Sequence, residues 1–192
     1  MNNLLIETNL FEARLHEDNG KLLVSGVLQR AGAKNQNGRV YPKHILEREV
    51  KQYEQLIQER RALGELDHPD SSVINLKNVS HNIKEIYWNG EDLMGVVEIL
   101  PTPSGNILKE LLQAGILLGI SSRGMGSVKP IGENKVEVGD DFELIGWDFV
   151  SNPSTHGAFM TPLQEGKQPQ LIGSDQCDIY CKAQDLMREI IT

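Results

Sequence analysis

The sequence predicts an α+β protein in which an antiparallel β-sheet or barrel is flanked by helices. Predicted strands outnumber predicted helices, and several strands follow each other closely enough to pair as hairpins. At 192 residues the chain can form one domain with a sizeable core, which we place at 1–160. The remaining segment, 161–192, is predicted to be a linker rich in proline, glycine and glutamine followed by a short amphipathic helix.

The strand predictions rest on short apolar runs bounded by turn residues. The predicted strands lie at 21–29, 81–88, 92–100, 116–122, 134–138 and 142–154. Asn89 and Gly90 separate the second and third strands, and Asn-Gly tolerates the positive φ angles of a tight turn, so a hairpin is expected there. The strand at 116–122 is expected to run into a glycine-rich turn.

Two helices are predicted from apolar residues that recur every three or four positions. The stripes are Leu46, Val50, Tyr53 and Ile57 in a helix at 42–60, and Ile107, Leu108, Leu111 and Leu112 in a helix at 101–115. Pro42 fits the first turn of the first helix. In the second helix, Ser104 is expected to act as the cap and Gly115 to end it.

Composition and charge exclude several classes of function. A net charge of −8 and a pI near 5.1 disfavour nucleic acid as the main partner. No apolar run approaches the roughly 20 residues that span a bilayer, and the first residues lack the features of a secretory signal. Cys177 and Cys181 have no histidine partner nearby, so we expect reduced cysteines rather than a zinc site, and no cofactor.

One histidine stands out because of its surroundings. His68 lies in "RALGELDHPDSS", between Asp67 and Asp70, just after the first predicted helix. Loops at such places often carry functional residues, although a solvated loop is the simpler interpretation of this stretch alone. A metal site built from these three residues and His81 is a further possibility, but it lacks the spacing that makes zinc motifs specific.

Two other stretches contain residues suited to catalysis. "GISSRGMGS" places Ser121 and Ser122 at the end of an apolar strand, where a rigidly held hydroxyl can act as a nucleophile, or where a plain β-turn can form. "GWDFVSNPSTHG" places Asp148 between two aromatic residues. This carboxylate either has a buried partner, for which a histidine is suitable, or faces solvent by strand alternation.

Together these stretches resemble a known family. "GRVYPKHILEREV", "ALGELDHP", "GISSRGMGS" and "DFVSNPS" occur in the order found in the prohead maturation proteases of large contractile-tailed bacteriophages. The resemblance covers roughly residues 20–160. It implies the fold of the herpesvirus assembly proteases, an antiparallel β-barrel surrounded by helices.

The resemblance also implies roles for individual residues. His68 matches the catalytic base and Ser121 the nucleophile, while Ser122 would point to the opposite face of the strand. Asp148 is the expected third member of the triad, with His156 as the alternative.

An oxyanion hole is a further implication of the resemblance. It is expected from Arg123 and the N–H groups near Gly124, beside the nucleophile.

The family resemblance further implies a serine endopeptidase that cleaves scaffold and capsid proteins inside the assembling procapsid, in the host cytoplasm. Family members cut after a glutamate that is preceded, two residues earlier, by an aliphatic residue, and they cut themselves. We therefore expect self-cleavage between Glu165 and Gly166 in "LQEG", and trimming at "LIET", 5–8. The alternatives are an inactive head or scaffold-associated protein with the same fold, and a metal-dependent hydrolase; a homo-oligomer is possible in each case.

Overall fold

The computed structural model describes residues 3–10, 16–18, 21–69 and 71–151. Within these ranges the strands are β1 Asn3–Leu10, β2 His16–Asp18, β3 Lys21–Arg30, β4 Arg39–Val40, β5 Leu63–Glu65, β6 Val79–Asn89, β7 Asp92–Ile99, β8 Gly119–Gly126, β9 Val128–Gly132, β10 Lys135–Val138 and β11 Glu143–Val150. The helices are α1 Lys43–Gln58 and α2 Pro103–Gln113.

The strands form three sheets, with strand orders β1-β8-β11, β4-β10-β9 and β2-β3-β7-β6-β5. Neighbouring strands are antiparallel except for β4 and β10. The predicted antiparallel sheet with a few helices is therefore confirmed. Among the described strands, the hydrogen-bond ladders form three sheets with free edges and no closed ring.

The edges of two sheets meet at β5 and β11. A parallel bridge joins Leu66, just after β5, to Phe149 of β11, and the Asp67 amide donates to the Phe149 carbonyl at 2.8 Å. After β5, the chain therefore leaves the five-stranded sheet and runs along β11 of the β1-β8-β11 sheet. This junction carries the segment around His68 across the face of β8 and β11.

The main core lies beneath this junction and is rich in aromatic and aliphatic side chains. Trp147 and Phe149 are fully buried, and Tyr53 of α1 packs edge-on against Trp147 with ring centroids 4.9 Å apart. Such a contact stabilises by about 1 kcal/mol beyond the burial of apolar area. A second cluster around Tyr41, Leu46 and Phe142 packs farther along β8, where Phe142 lies against Gly124 and Gly126.

Both helix starts differ in detail from the prediction. Pro42 precedes α1 with a non-helical ψ of 137°, and its carbonyl accepts hydrogen bonds from the amides of Ile45 and Leu46. Thr102, rather than Ser104, caps α2, because its Oγ1 accepts from the Gly105 amide at 3.0 Å. The following Pro103 favours the extended backbone that a cap requires, which explains the choice of Thr102.

The predicted apolar stripe of α2 is correct only in part. Leu108 and Leu112 are buried, but Ile107 is 55% exposed. The predicted helix end is confirmed, since Gly115 follows α2 with φ +75°. The predicted hairpin is confirmed too: β6 and β7 are joined at Gly90, which has φ +63°.

The glycine-rich turn predicted after residue 122 is wrong, because β8 continues as a strand to Gly126. A Cβ atom on Gly124 would lie 2.4 Å from the Phe142 ring, and one on Gly126 would lie 2.9 Å from the Phe142 Cα. The glycines are therefore required for close packing against Phe142. Ser121 accordingly lies within a strand and not at its end.

Several sequence predictions fall on residues outside the described ranges. They are Asp70, His156, the cleavage site Glu165–Gly166, Cys177, Cys181 and the tail 161–192. The proposed division into 1–160 and 161–192 therefore stays a prediction. In the described part of the chain, neither helix has the length and apolar character needed to cross a membrane.

Candidate active site

Strand register brings Ser121 and Asp148 together although they are 27 residues apart in the sequence. The two residues are direct Cα partners in the antiparallel pair of β8 and β11. Side chains of directly opposed residues stand on the same face of a sheet. The hydroxyl and the carboxylate therefore project toward the same side, beneath the segment that carries His68.

His68 contacts both of these side chains. Its Nε2 lies 2.7 Å from the Ser121 Oγ, and its Nδ1 lies 3.1 Å from Oδ2 of Asp148. A carboxylate only accepts, so Nδ1 carries the proton and donates to Asp148. Nε2 then has a free lone pair that accepts the Ser121 hydroxyl proton. The geometry is that of a nucleophile, a base and an orienting carboxylate.

The backbone before His68 sets the direction of the imidazole. Asp67 has φ +69°, a left-handed conformation that aspartate tolerates better than most residues. Its carboxylate accepts from the His68 amide at 2.9 Å, and its own amide is held by β11. Pro69 restricts the chain on the other side. The His68 side chain remains 17% exposed, so a substrate can reach it while Asp148 beneath is fully buried.

Asp148 is bound on its inner side by a buried arginine. Its Oδ1 accepts from the Glu65 amide at 2.9 Å and from Nη2 of Arg123 at 3.1 Å. Nε of Arg123 also lies 3.0 Å from Oδ2, close enough for an ion pair but without the direction of a hydrogen bond. These contacts pair the carboxylate with a buried positive charge and leave Oδ2 facing His68.

The Arg123 side chain, which was predicted to be an oxyanion donor, points into the protein interior. The guanidinium is fully buried and is bound to Glu65, Asp148 and the carbonyl of Ser71. It lies on the inner side of Asp148, away from the open side of His68.

Gly124 does not fit the predicted oxyanion role either. It is three residues beyond Ser121 in an extended strand, which places it about 10 Å away. The packing of Phe142 against Gly124 explains this glycine instead.

The two alternative residues have different outcomes. Ser122 lies on the opposite face of β8, where its hydroxyl is buried and, among the described side chains, has no hydrogen-bond partner. It is therefore not placed to be activated by His68. His156 lies outside the described residues.

His81 forms a separate buried pair on β6. Its Nδ1 lies 2.8 Å from the Ser80 hydroxyl, and its Nε2 donates to the Trp147 carbonyl at 3.0 Å. Burial lowers the pKa of His81 to about 4, so the imidazole is neutral at physiological pH. Both ring nitrogens are occupied, and within the described ranges no three metal-ligating side chains gather. The hypothetical metal site therefore finds no support from His81.

One residue of the site was not predicted from the sequence. Glu65 is fully buried, and its Oε1 accepts from Arg123 Nη2 at 3.1 Å and from the Asn75 amide at 2.9 Å. The only signal was an acidic residue three positions before His68. A solvated turn would show the same pattern, so the contact between the edges of β5 and β11 was needed to identify it.

The chain is similar in sequence and in fold to known proteins. Residues 3–168 match the family model described as prohead core protein serine protease. The chain is 35% identical over 148 residues to the prohead core protein protease of Enterobacteria phage T4, covering 74% of this chain and 69% of that protein. It also superimposes on the solved capsid assembly protease of bacteriophage T4 with a TM-score of 0.71 and 30% identity, over 79% of this chain and 99% of that one.

Proposed function

This chain belongs to the prohead core protein serine protease family, and we propose that it is a serine endopeptidase whose nucleophile is Ser121. The family membership confirms the resemblance drawn from the sequence. The single observation that supports the catalytic assignment is the chain of contacts from Ser121 through His68 to Asp148, at 2.7 Å and 3.1 Å.

The proposed reaction begins with proton transfer. His68 Nε2 accepts the Ser121 hydroxyl proton while Oγ attacks the scissile carbonyl carbon. The imidazolium that forms is stabilised by Asp148, which stays ionised. His68 then gives the proton to the departing amine, and an acyl-enzyme remains on Ser121. Water, activated by the same imidazole, releases the acyl group and restores the hydroxyl.

The proposed substrates are the core and capsid proteins of a phage procapsid. The relatives are described as a prohead core protein protease and a capsid assembly protease. By analogy, this chain acts within the assembling procapsid in the infected cell. Cleavage after glutamate, with an aliphatic residue two positions earlier, is the specificity we propose from the family resemblance. The relation to the herpesvirus assembly proteases and their barrel is likewise a proposal.

An inactive structural role is the main competing function. A protein that retained only the fold would be free to lose the contacts among the serine, the imidazole and the carboxylate. Here all three side chains are within hydrogen-bonding distance, and buried charges support the carboxylate from behind. This arrangement favours the enzyme.

Cleavage of purified procapsid core protein tests the proposal. We expect Ser121→Ala and His68→Ala each to reduce kcat by about 10⁶-fold, because the members of such a triad act as a unit. Ser80→Ala is the matched control, since Ser80 also contacts an imidazole but lies in the buried pair on β6. Equal cleavage by wild type, Ser121→Ala and His68→Ala would exclude the assignment. A chelator that abolished cleavage would instead favour the metal-dependent hydrolase.

Self-cleavage at Glu165–Gly166 is a second part of the proposal. Intact-mass analysis of incubated wild type should show loss of the segment after Glu165, and Ser121→Ala should keep the full-length mass. The other predicted site, Glu7–Thr8, lies inside β1, where Thr8 is the Cα partner of Ser121. A paired strand resists proteolysis, so we expect that bond to be cut more slowly. If wild type cleaves core protein but keeps its own full-length mass, self-cleavage is contradicted. The proposal that the chain cleaves other proteins would still stand.

A further inference from the structure

We infer that Arg123 and Glu65 are positioning residues that set the net charge behind Asp148, and thereby the pH range in which His68 acts as a base. The inference rests on the proposed function, because it concerns the same triad. It replaces the oxyanion role that the sequence suggested for Arg123. The inference is supported by three buried charged groups next to the imidazole: one guanidinium that binds two carboxylates.

The three charged side chains form one connected set. Nη2 of Arg123 lies 3.1 Å from both Glu65 Oε1 and Asp148 Oδ1. All three residues have no exposed surface. Ions buried in this way are costly unless paired and hydrogen-bonded, so the geometry of the set is tightly restrained.

The set is not electrically neutral. One guanidinium and two carboxylates leave one unbalanced negative charge, and the outer oxygen of Asp148 is 3.1 Å from His68 Nδ1. His68 supplies the missing positive charge when it takes the proton from Ser121. The buried charges are therefore matched to the imidazolium form that exists during reaction, as preorganised electrostatic stabilisation requires.

Other titratable groups near Asp148 do not alter this balance. Tyr53 of α1 and His81 of β6 both interact electrostatically with Asp148. Burial raises the pKa of Tyr53 and lowers the pKa of His81 to about 4. Both side chains are therefore neutral at physiological pH. Asp67 is exposed at the rim of the site. On the other side of β8, the partners of Ser121 and Arg123 in β1 are Thr8 and Ile6, which are uncharged.

The same pair also holds the segment that follows His68. Nη1 of Arg123 donates to the Ser71 carbonyl at 2.8 Å, and Glu65 Oε1 accepts from the Asn75 amide at 2.9 Å. The segment is thereby attached on both sides of a short loop. Loss of Arg123 should loosen this loop. Replacement of Glu65 by a neutral residue that keeps the Oε1 acceptor should not.

Glu65→Gln separates charge from structure. The described side-chain hydrogen bonds of Glu65 use Oε1, whereas Oε2 has no partner among the described residues. Glutamine can therefore keep the bonds to Arg123 and Asn75 while removing one negative charge. Glu98→Gln is the matched control, because Glu98 is also buried and ion-paired, but to Arg60 and away from the triad.

The experiment measures the pH profile of kcat/KM with a fluorogenic peptide containing Leu-Gln-Glu-Gly. We expect Glu65→Gln to move the midpoint of the acid limb to lower pH by about half a unit to one unit, since the imidazolium loses a stabilising charge. Arg123→Met should move it to higher pH, because two uncompensated carboxylates remain. The double variant restores a single negative charge and should return the midpoint to that of wild type.

A merely structural role predicts a different result. Activity would fall in each variant with an unchanged midpoint, and the double variant would be worse than either single one; that result would overturn the inference. If Arg123→Met fails to fold, the comparison of Glu65→Gln with Glu98→Gln decides alone, and equal midpoints would overturn the inference.

A second readout separates this inference from the proposed function. The midpoint of His68 protonation can be followed by ¹⁵N NMR in the same variants without any substrate. If Glu65→Gln lowers the midpoint and Arg123→Met raises it, but the wild-type protein cleaves nothing, the result would support the role of the buried charges and reject the protease. Cleavage with identical His68 titrations would support the protease and reject the charge set.

Discussion

The molecule contains two serine–histidine pairs of nearly equal geometry and very different surroundings. The Ser121–His68 contact is 2.7 Å and the Ser80–His81 contact is 2.8 Å. The second nitrogen of His68 faces a carboxylate, whereas that of His81 faces a backbone carbonyl. His68 is partly exposed and His81 is not exposed at all.

The difference shows that a hydroxyl in contact with an imidazole is not by itself a catalytic device. A base must become a cation during reaction, and of these two imidazoles only that of His68 donates a hydrogen bond to a buried carboxylate. His81 is instead held neutral by burial, so its pair stabilises the junction between β6 and β11. The following predictions test this contrast, from the largest expected effect to the smallest.

Asp148→Asn should remove the carboxylate that distinguishes the proposed catalytic pair, Ser121–His68, from the buried pair, Ser80–His81. The amide can donate to His68 Nδ1 and impose the wrong tautomer, so we expect kcat to fall by about 10⁴-fold with little change in KM. Peptide cleavage measures this effect. A loss smaller than tenfold would mean that Asp148 does not orient the base.

His81 should make the fold sensitive to acid. Its pKa is about 4 in the folded chain against an ordinary value of 6.5, so between these pH values the unfolded chain binds a proton that the folded chain does not. Stability is therefore complete above pH 6.5 and falls as the pH drops toward 4, by about 3 kcal/mol from this residue.

Urea unfolding at pH 7.5 and pH 4.5 measures the acid sensitivity. His81→Gln should show a clearly smaller drop in the free energy of unfolding than wild type. His44→Gln, which removes an exposed histidine from α1, should show the same drop as wild type. Equal drops in all three proteins would contradict the assignment of the acid sensitivity to His81.

Gly64→Ala should disturb both the buried pair, Ser80–His81, and the proposed catalytic pair, Ser121–His68. A Cβ atom there would lie 2.1 Å from the Trp147 carbonyl oxygen and 2.2 Å from His81 Nε2, so β5 must shift. We expect a loss of about 2 kcal/mol in stability and a lower kcat, because β5 contains Glu65 and leads to His68. Thermal unfolding and peptide cleavage provide the two measurements. Gly132→Ala is the control, since its nearest neighbour would be 3.8 Å away.

Ser80→Ala should have the smallest effect. It leaves His81 Nδ1 buried without its donor, which costs about 1 kcal/mol or slightly more in the free energy of unfolding. Cleavage activity should stay at the wild-type level. A large loss of activity with unchanged stability would show that the buried pair participates in the reaction.

Much of the fold was predictable because its signals are local. The β6–β7 hairpin, both helices and the strands at β3, β10 and β11 follow from periodicity and turn residues. The strands β1, β2, β4, β5 and β9 were missed, since β2, β4 and β5 are only two or three residues long and β1 gave no recognised strand signal. The glycines of β8 misled the prediction, because Phe142, which requires them, lies far away in the sequence.

The amino-acid sequence by itself determined which chemical groups are available and, through strand alternation, that Ser121 and Ser122 point to opposite faces. Only the tertiary structure decided what those groups do. The register of β8 with β11 places Asp148 beside Ser121, and the edge contact of β5 brings Glu65 and His68 to them. A shift by one residue would turn Asp148 to the other face, and no local pattern encodes which register is adopted. Arg123 therefore changed from an expected oxyanion donor to the buried support of Asp148 once its long-range partners were known.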